Sequence, residues 1–268
     1  MNSQHMKRLE NKVAVIYGNG GIGGAIAKAF AREGARIFLA GRTQTRLDEI
    51  SAEIQAANGS IATAVLDALD EQAVRIHIDK IVSKTGVIDI SFNTIGLPQT
   101  GIQGIALANL SVENFLKPIC IYAQSHFITA KCVLPHMIKQ HQGVILSHVP
   151  NASRQSAPYV GGMIPAWSSL EALSRSISLE YGQQGVRSIC MLSTGIEETP
   201  LIDEVWSIHS KVHGLTLDQF YEASRSFTHR KRLTTLKEFT DAAVFAASDD
   251  GSAITGTLFN LTAGMIVH

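Results

Sequence analysis

A chain of 268 residues with 45% hydrophobic and 17% charged residues fits a folded α/β domain with a sizeable core and excludes a disordered chain. Lysine plus arginine and aspartate plus glutamate number 23 each, so positive and negative charges balance. This balance lacks the excess of positive charge typical of nucleic-acid-binding proteins, and we expect no nucleic-acid partner.

Short β-rich runs alternate with longer amphipathic segments along the whole chain. The hydrophobic pattern predicts strands at 13–17, 36–40, 61–66, 87–92, 144–149, 186–192 and 257–261. It predicts helices at 21–33, 43–58, 70–84, 112–140 and 165–181, with a break near Pro118. A further helix starts where Thr235 and Glu238 have capping-box spacing. Strands joined by helical crossovers predict an α/β fold, a Rossmann-type doubly wound parallel sheet of about seven strands with helices on both faces.

Cysteine content and hydropathy exclude two further classes of protein. Cys120, Cys132 and Cys190 are too few and too widely spaced for a disulfide framework or a zinc site, and we expect buried thiols in a reducing cytoplasm. The longest uncharged stretch, 90–112, contains Pro98 and several glycines and amides, so it is not predicted to span a membrane. We expect a cytoplasmic protein in which residues 1–6 form a polar leader outside the fold.

The segment 17–23 has the sequence Tyr-Gly-Asn-Gly-Gly-Ile-Gly and joins the first predicted strand to the first predicted helix. A dinucleotide pyrophosphate needs a tight turn, close approach of the backbone and free amides at a helix N-terminus. Gly18 suits the turn, Gly21 the close approach and Gly23 the packing of helix on strand. A tight turn without a ligand is the alternative. The loop residues predicted to bind the cofactor are Gly18, Asn19, Gly21, Ile22 and Gly23.

Gly41 and Arg42 stand at the end of the second predicted strand and bear on the choice between NAD and NADP. An acidic side chain at this point accepts hydrogen bonds from the adenosine ribose hydroxyls and favours NAD, but Gly41 has no such group. Arg42 has the charge to hold the 2′-phosphate of NADP, a contact of about 1.5–3 kcal/mol. NADP is therefore the predicted cofactor, with NAD left open and a solvated surface arginine as the alternative interpretation.

Beside this loop, several segments resemble the short-chain dehydrogenase/reductase family over nearly the whole chain. Residues 93–96 (Asn-Thr-Ile-Gly) stand where the family has Asn-Asn-Ala-Gly, and 194–199 (Thr-Gly-Ile-Glu-Glu-Thr) resemble its Pro-Gly-x-x-x-Thr. The glycine loop is one residue shorter between its first two marked glycines than the family pattern. The resemblance implies contacts of Asp67 with the adenine and of Thr199 with the nicotinamide amide. It extends the predicted cofactor-binding set to Asp67, Asn93, Gly96, Ile196 and Thr199.

The catalytic motif of that family is missing from this chain. The family uses Tyr-x-x-x-Lys, with a serine thirteen residues upstream and an asparagine on the preceding long helix. No lysine lies between 139 and 211, and none of the five tyrosines has a lysine four residues later. A spacing of seven, as in related enoyl reductases, pairs Tyr159 with Ala166, so the absence does not depend on alignment register. The asparagine, serine, tyrosine and lysine positions are occupied by Tyr122, Pro150, Met163 and Trp167.

Three residues are candidate proton donors in place of the missing pair. The family's lysine lowers the tyrosine pKa, which is otherwise near 10 and too high for acid–base work at neutral pH. Tyr122 offers a hydroxyl near the expected nicotinamide, and Tyr159 lies in the loop before Met163. His148 lies two residues before Pro150 on a predicted strand, so both share a face, and a pKa near 6.5 suits a donor. Packing in the core or the pocket wall is the alternative for each.

The segment 200–232 corresponds to the mobile substrate lid of the family, and its aromatic side chains are suited to closing over a ligand. Thr216 is a predicted N-cap within this segment. His209 and His213 have metal-like spacing on a helix, but without a third ligand nearby we predict no metal site.

These observations predict one dinucleotide-binding domain over 7–268 and an NAD(P)-dependent oxidoreductase with an atypical active site. It would transfer a hydride to or from a small carbonyl or alcohol substrate. The alternative is a catalytically inactive or regulatory dinucleotide-binding protein, and a weaker third is a lyase or isomerase with a structural cofactor. The family's usual assembly and the low charge content predict a homotetramer or homodimer, with no membrane partner.

Overall fold

Seven parallel strands form one sheet in the computed structural model, which describes residues 7–267. The predicted leader at 1–6 lies outside the described residues. The strand order is β3-β2-β1-β4-β5-β6-β7, which confirms the doubly wound α/β sheet. The strands are β1 Val13–Tyr17, β2 Arg36–Gly41, β3 Ser60–Val65, β4 Ile90–Asn93, β5 Gly143–Pro150, β6 Val186–Ser193 and β7 Thr257–Leu261.

Helices cover both faces of this sheet. The helices are α1 Gly21–Arg32, α2 Gln44–Ala56, α3 Glu71–Thr85, α4 Val112–Gln140, α5 Ala152–Gln155, α6 Met163–Tyr181, α7 Pro200–Val212, α8 Leu217–Ser226 and α9 Leu236–Ala247. Helices α1, α2 and α9 bury side chains such as Ile26 and Phe239 against one face. Helices α3, α4 and α6 bury side chains such as Ile78 and Val133 against the other. Full burial of one such side chain contributes about 1.5–3 kcal/mol.

The predicted break of the long helix near Pro118 is wrong, because α4 runs unbroken with Pro118 inside it. Tertiary packing explains this continuity. Pro118 is buried, and the turn that contains it lies against Gly162, where an added Cβ would be 3.1 Å from Pro118 Cγ. Packing of this turn against the start of α6 therefore stabilises a helix in which proline removes one backbone hydrogen bond.

Strand β4 begins at Ile90, three residues later than predicted, because side chains bind the backbone just before it. The amide of Ile88 donates to Gln140 Oε1 at 2.9 Å, and Gln140 Nε2 donates to the Ile88 carbonyl at 2.9 Å. Thr85 Oγ1 donates to the Val87 carbonyl at 2.7 Å. These backbone groups are thereby satisfied without a neighbouring strand.

Two smaller expectations have opposite outcomes. The capping boxes at the starts of α8 and α9 are present, with Thr216 and Thr235 as N-caps. Cys132 and Cys190 are buried, but Cys120 is exposed on α4, so the expectation of a buried thiol is wrong there.

None of the helices found between residues 7 and 267 has the length and apolar character needed to cross a bilayer.

The order of the strands reverses between β1 and β4, which makes a crevice at the carboxyl edge of the sheet. In open α/β sheets ligands bind at such a switch point. The chain leaves β1 at Gly18 and leaves β4 at Thr94, whose amide donates to the Tyr17 carbonyl at 2.8 Å. The glycine loop is therefore located at this crevice.

Candidate active site

The loop between β1 and α1 contains positions where a side chain would not fit. Gly18 has a φ of +105°, and its amide donates to the Ala40 carbonyl at 2.8 Å. A Cβ at Gly23 would overlap the Gly18 carbonyl oxygen and lie 2.7 Å from Thr94 Oγ1. These two positions therefore need glycine, one for the turn and one for the close packing of helix on strand.

The N-terminus of α1 has free backbone donors. Gly20 is the N-cap and has no side chain to bond the first turn, so the first amides of α1 are free for an anion. Among residues 7–267 nothing lies within 4 Å of a Cβ built at Gly20, whereas one at Gly21 would be 3.0 Å from Pro200 Cδ. Ile22 packs against the core beneath the loop. The free amides of α1 and the open space at Gly20 together fit the pyrophosphate of a dinucleotide.

At the end of β2, an exposed arginine follows a glycine position where a side chain would not fit. Arg42 is exposed and forms no ion pair within residues 7–267. Asn19 Nδ2 donates to the Thr43 carbonyl at 2.9 Å, and a Cβ at Gly41 would lie 2.6 Å from Asn19 Cγ. Asn19 thus fills the space that an acidic side chain at 41 would need. An exposed guanidinium such as that of Arg42 can bind an anionic group.

Three more residues of the predicted cofactor-binding set, Asp67, Asn93 and Gly96, differ in solvent exposure. Asp67 is exposed after β3, and its Oδ1 accepts from the Leu69 amide at 3.0 Å. Asn93 is buried and joins β4 to α4, since its Nδ2 donates to Thr129 Oγ1 at 3.2 Å. Gly96 is exposed beneath the start of the lid.

The segment after β6 reaches the opposite side of the crevice. Thr199 is buried, and its hydroxyl donates to the Ile196 carbonyl at 2.8 Å. A Cβ at Gly21 would lie 3.2 Å from Thr199 Cβ, so this segment meets the glycine loop. Thr194, at the family's proline position, accepts from the Thr234 amide at 2.8 Å and is thereby fixed without the proline ring.

The family's catalytic asparagine, serine, tyrosine and lysine form a tetrad. Three of the four residues at the tetrad positions form a buried apolar cluster on the α4 and α6 side of the sheet. Tyr122, Met163 and Trp167 pack there with Val149. Burial raises the pKa of Tyr122 to about 12, and the Trp167 side chain, as its hydrogen-bond partner, acts in the opposite direction. Pro150, at the fourth position, is the last residue of β5. Of these groups only the Tyr122 hydroxyl is both a donor and an acceptor.

His148 lies on the other face of the sheet, with its ring edge against Phe239 of α9 at 4.9 Å between centroids. Its Nε2 is 2.8 Å from Ser193 Oγ, which itself donates to the Thr194 carbonyl at 2.8 Å. The serine hydroxyl must then accept, so Nε2 of His148 carries the hydrogen. Burial lowers the pKa of His148 to about 4, so the ring is neutral at pH 7. The structure does not bring His148 together with Tyr122.

Tyr159 lies between the lid and the loop after β4. It has a φ of +65°, its carbonyl accepts from the Gly104 amide at 2.8 Å, and its ring meets the His213 ring edge-on at 5.6 Å. The left-handed conformation is uncommon for a tyrosine and is held by these contacts. Tyr159 therefore contacts the lid.

A buried polar network missed by the sequence reasoning attaches the lid to the loop after β4. His209 Nε2 lies 2.8 Å from Gln103 Oε1, Gln103 Nε2 donates to Gln99 Oε1 at 2.6 Å, and Gln99 Nε2 donates to the Leu97 carbonyl at 2.7 Å. Gln99 and Gln103 are four residues apart in an otherwise apolar loop, and this spacing is the sequence feature that could have predicted the network. Within the described part of the chain no group of three or more potential ligands is arranged for a metal, and His209 instead bonds an amide.

An ion pair attaches the other lid helix. Arg225 of α8 donates to Glu197 through Nε at 2.9 Å and Nη2 at 2.6 Å. Glu197 belongs to the segment after β6 that meets the glycine loop. The two lid helices are thus fixed to two different walls of the crevice.

A protein-family model described as enoyl-(acyl carrier protein) reductase matches residues 16–266. The chain belongs to the short-chain dehydrogenase/reductase family. An uncharacterized oxidoreductase of Bacillus subtilis (strain 168), YxbG, is 32% identical over 98% of this chain and 94% of its own length. A 7alpha-hydroxysteroid dehydrogenase of Clostridium sardiniense is 26% identical over 97% of this chain and 95% of its own. The family membership implied by the sequence motifs is confirmed.

Solved structures share the fold of this short-chain oxidoreductase. Levodione reductase superposes with a TM-score of 0.87 at 24% identity, covering 96% of this chain and 98% of that one. Carveol dehydrogenase from Mycobacterium avium, solved in complex with NAD, gives a TM-score of 0.88 at 24% identity, covering 97% and 99%. These likenesses support the fold alone.

Proposed function

We propose that the protein is an NAD(P)-dependent oxidoreductase that prefers NADP and has an atypical active site. The observation that carries this proposal is the N-terminus of α1 at the switch point, where Gly20 gives no side-chain cap, together with Arg42 at the end of the adjacent strand, which is exposed and forms no ion pair with residues 7–267. One feature would bind a pyrophosphate and the other a 2′-phosphate. The named relatives are dehydrogenases and reductases, which supports the same chemistry.

The cofactor would be held along the carboxyl edge of the sheet. The amides of 18–23 would bind the pyrophosphate, and Asp67 lies on the adenine side. Asn93, Gly96, Ile196 and Thr199 would surround the nicotinamide. When bound, the cofactor donates or accepts a hydride. The substrate would be a small carbonyl or alcohol with an apolar body, because the apolar side chains of Met163 and Trp167 stand at the positions of the family's tyrosine and lysine.

Proton transfer is assigned to the Tyr122 hydroxyl among the three candidates. Its raised pKa means that the hydroxyl keeps its proton at neutral pH and can donate to a substrate oxygen. No lysine lowers that pKa, so catalysis is expected to be slower than with the family tetrad by about 10²–10⁴. His148 donates to Ser193 on the other face, and Tyr159 contacts the lid, so both are weaker candidates.

Cofactor titration followed by a turnover assay tests the proposal. We expect enhanced fluorescence of NADPH at lower concentrations than of NADH. Loss of absorbance at 340 nm is then expected with at least one member of a panel of ketones, quinones, imines and activated alkenes. Tighter binding of NADH by tenfold or more would contradict the NADP preference.

A dinucleotide-binding protein without turnover is the second candidate. It is favoured by the replacement of all four tetrad positions and by the burial of Tyr122, Met163 and Trp167 in one cluster. Binding of NADPH without its consumption at high enzyme concentration would support this candidate over the first.

A Tyr122→Phe variant tests the assigned donor. We expect kcat to fall about 10²–10⁴-fold while the affinity for NADPH is unchanged, because only the hydroxyl is lost. Steady-state kinetics with a substrate found in the panel give the measurement. His148→Ala is the comparison, and a larger loss in that variant than in Tyr122→Phe would refute the assignment.

We also infer self-association into a homodimer or homotetramer. Apolar side chains are exposed on α4 at Val112, Leu116 and Phe127, and Leu179 on α6 is 87% exposed. Helices α4 and α6 pack side by side. Because these apolar side chains are exposed, they are available to a second copy. A small-molecule substrate is the other proposed partner.

A further inference from the structure

Helix α4 carries a second buried polar side chain one turn after Tyr122. His126 is 4% exposed, and its Nδ1 lies 2.9 Å from the Tyr122 carbonyl oxygen. A carbonyl only accepts, so Nδ1 must carry the hydrogen. Ser125 Oγ donates to the same carbonyl at 3.2 Å. Two side chains therefore fix the turn of the helix from which the Tyr122 phenol projects.

The other nitrogen of this ring needs a donor. Burial lowers the pKa of His126 to about 4, against the effect of the Tyr122 and Asn93 backbone, so the ring is neutral at pH 7. With the hydrogen on Nδ1, Nε2 is an acceptor. It is fully buried and has no hydrogen-bond partner within residues 7–267. The nearby Asn93 carbonyl is also an acceptor and cannot satisfy it.

His126 lines a small cavity between the sheet and helices α4 and α6. The cavity has a volume of about 10 Å³, close to that of a single water-sized sphere. Apolar side chains form part of its wall, and hydroxyl, amide and imidazole groups form the rest, which gives a buried water its partners. The polar lining comes from Ser91, Asn93, His126, Thr129, Ser147, Ser174 and Ser188.

We propose that this cavity binds one internal water molecule that donates to His126 Nε2, and that His126 is a positioning residue for Tyr122. A water molecule has two hydrogens and can therefore bridge Nε2 to a second acceptor in the wall, joining α4 to the end of β4. The first part stands on the geometry of the cavity alone. The second part rests on the proposed role of Tyr122.

Two measurements on the full chain test the water site. In a crystal structure that resolves ordered solvent, one water is expected within hydrogen-bond distance of His126 Nε2. In ¹⁵N spectra of the histidine-labelled protein at pH 7, His126 is expected to carry its hydrogen on Nδ1. A dry cavity in well-resolved density, or a hydrogen on Nε2, would overturn this part.

Variants at His126 test the positioning role. His126→Leu removes both ring nitrogens, and we expect kcat to fall about ten- to a hundredfold, with the KM for NADPH unchanged. His126→Asn keeps a donor near the Tyr122 carbonyl but loses Nε2, so part of kcat should return. The Asn variant also serves if the Leu variant fails to fold.

The matched control is His77→Leu on α3. His77 also has a buried Nε2 without a partner within 7–267, and burial lowers its pKa to about 4 as well. Its replacement tests removal of a half-buried histidine with a buried Nε2 on a different helix from Tyr122, and kcat should not change. Equal kcat in wild type and His126→Leu would overturn the positioning role. A wild type without turnover would overturn that role together with the proposed function, while density and ¹⁵N spectra would still decide the water site.

Discussion

A Gly23→Ala variant is expected to lose most of its affinity for NADPH and to melt at a lower temperature. The new Cβ would overlap the Gly18 carbonyl oxygen and lie 2.7 Å from Thr94 Oγ1. The overlapped atom belongs to the backbone, so the loop or α1 must move. Overpacking of this kind costs about 1–3 kcal/mol, which corresponds to about a 5- to 150-fold loss of affinity if the loop absorbs the strain.

Fluorescence titration with NADPH and a thermal melt of the same variant provide the measurements. Gly182→Ala is the control, because it adds the same methyl group after α6, outside the loop, with nothing within 4 Å among residues 7–267. Its φ of −61° is also allowed for alanine. If Gly23→Ala binds NADPH like the control, this loop is not the pyrophosphate site.

The sheet and its glycine loop could be predicted from the sequence because their signals are local. Strands β1 and β7 begin and end where the hydrophobic runs do, at 13–17 and 257–261. The errors arose where distant side chains intervene. Gln140 bonds the backbone before β4, and Gly162 accommodates the turn around Pro118, and neither partner adjoins its target in sequence.

The candidate site was harder to predict because its partners come from separate elements. Alternation along β5 predicts a shared face for His148 and Pro150, but it does not reveal that Ser193 and Phe239 contact the His148 ring. The bond between Gln103 and His209 joins residues 106 positions apart. The meeting of Tyr122 with Trp167 likewise needs α4 and α6 to pack together. Motif spacing identified which groups were missing and which residues stand in their place, whereas only packing shows what surrounds those residues.

An Arg42→Ala variant is expected to bind NADPH about 10- to 150-fold more weakly and NADH almost unchanged. The guanidinium is exposed and makes no ion pair within residues 7–267, so its removal costs the fold little. A charged hydrogen bond to a phosphate contributes about 1.5–3 kcal/mol, which gives this range. Titrations with both cofactors at two salt concentrations give the measurement, and the NADPH affinity of the wild type should be the more salt-dependent.

Arg46→Ala is the control for loss of positive charge, since Arg46 lies one turn further along on α2 and pairs with Glu49. An equal loss of NADPH affinity in both variants would show a general charge effect instead of a 2′-phosphate contact.

The end of β2 leads to a further expectation about NAD preference. Introducing an acid by Gly41→Asp should not by itself create NAD preference, because its Cβ would lie 2.6 Å from Asn19 Cγ. Only a combined change at Asn19 and Gly41 is expected to admit a carboxylate to the ribose.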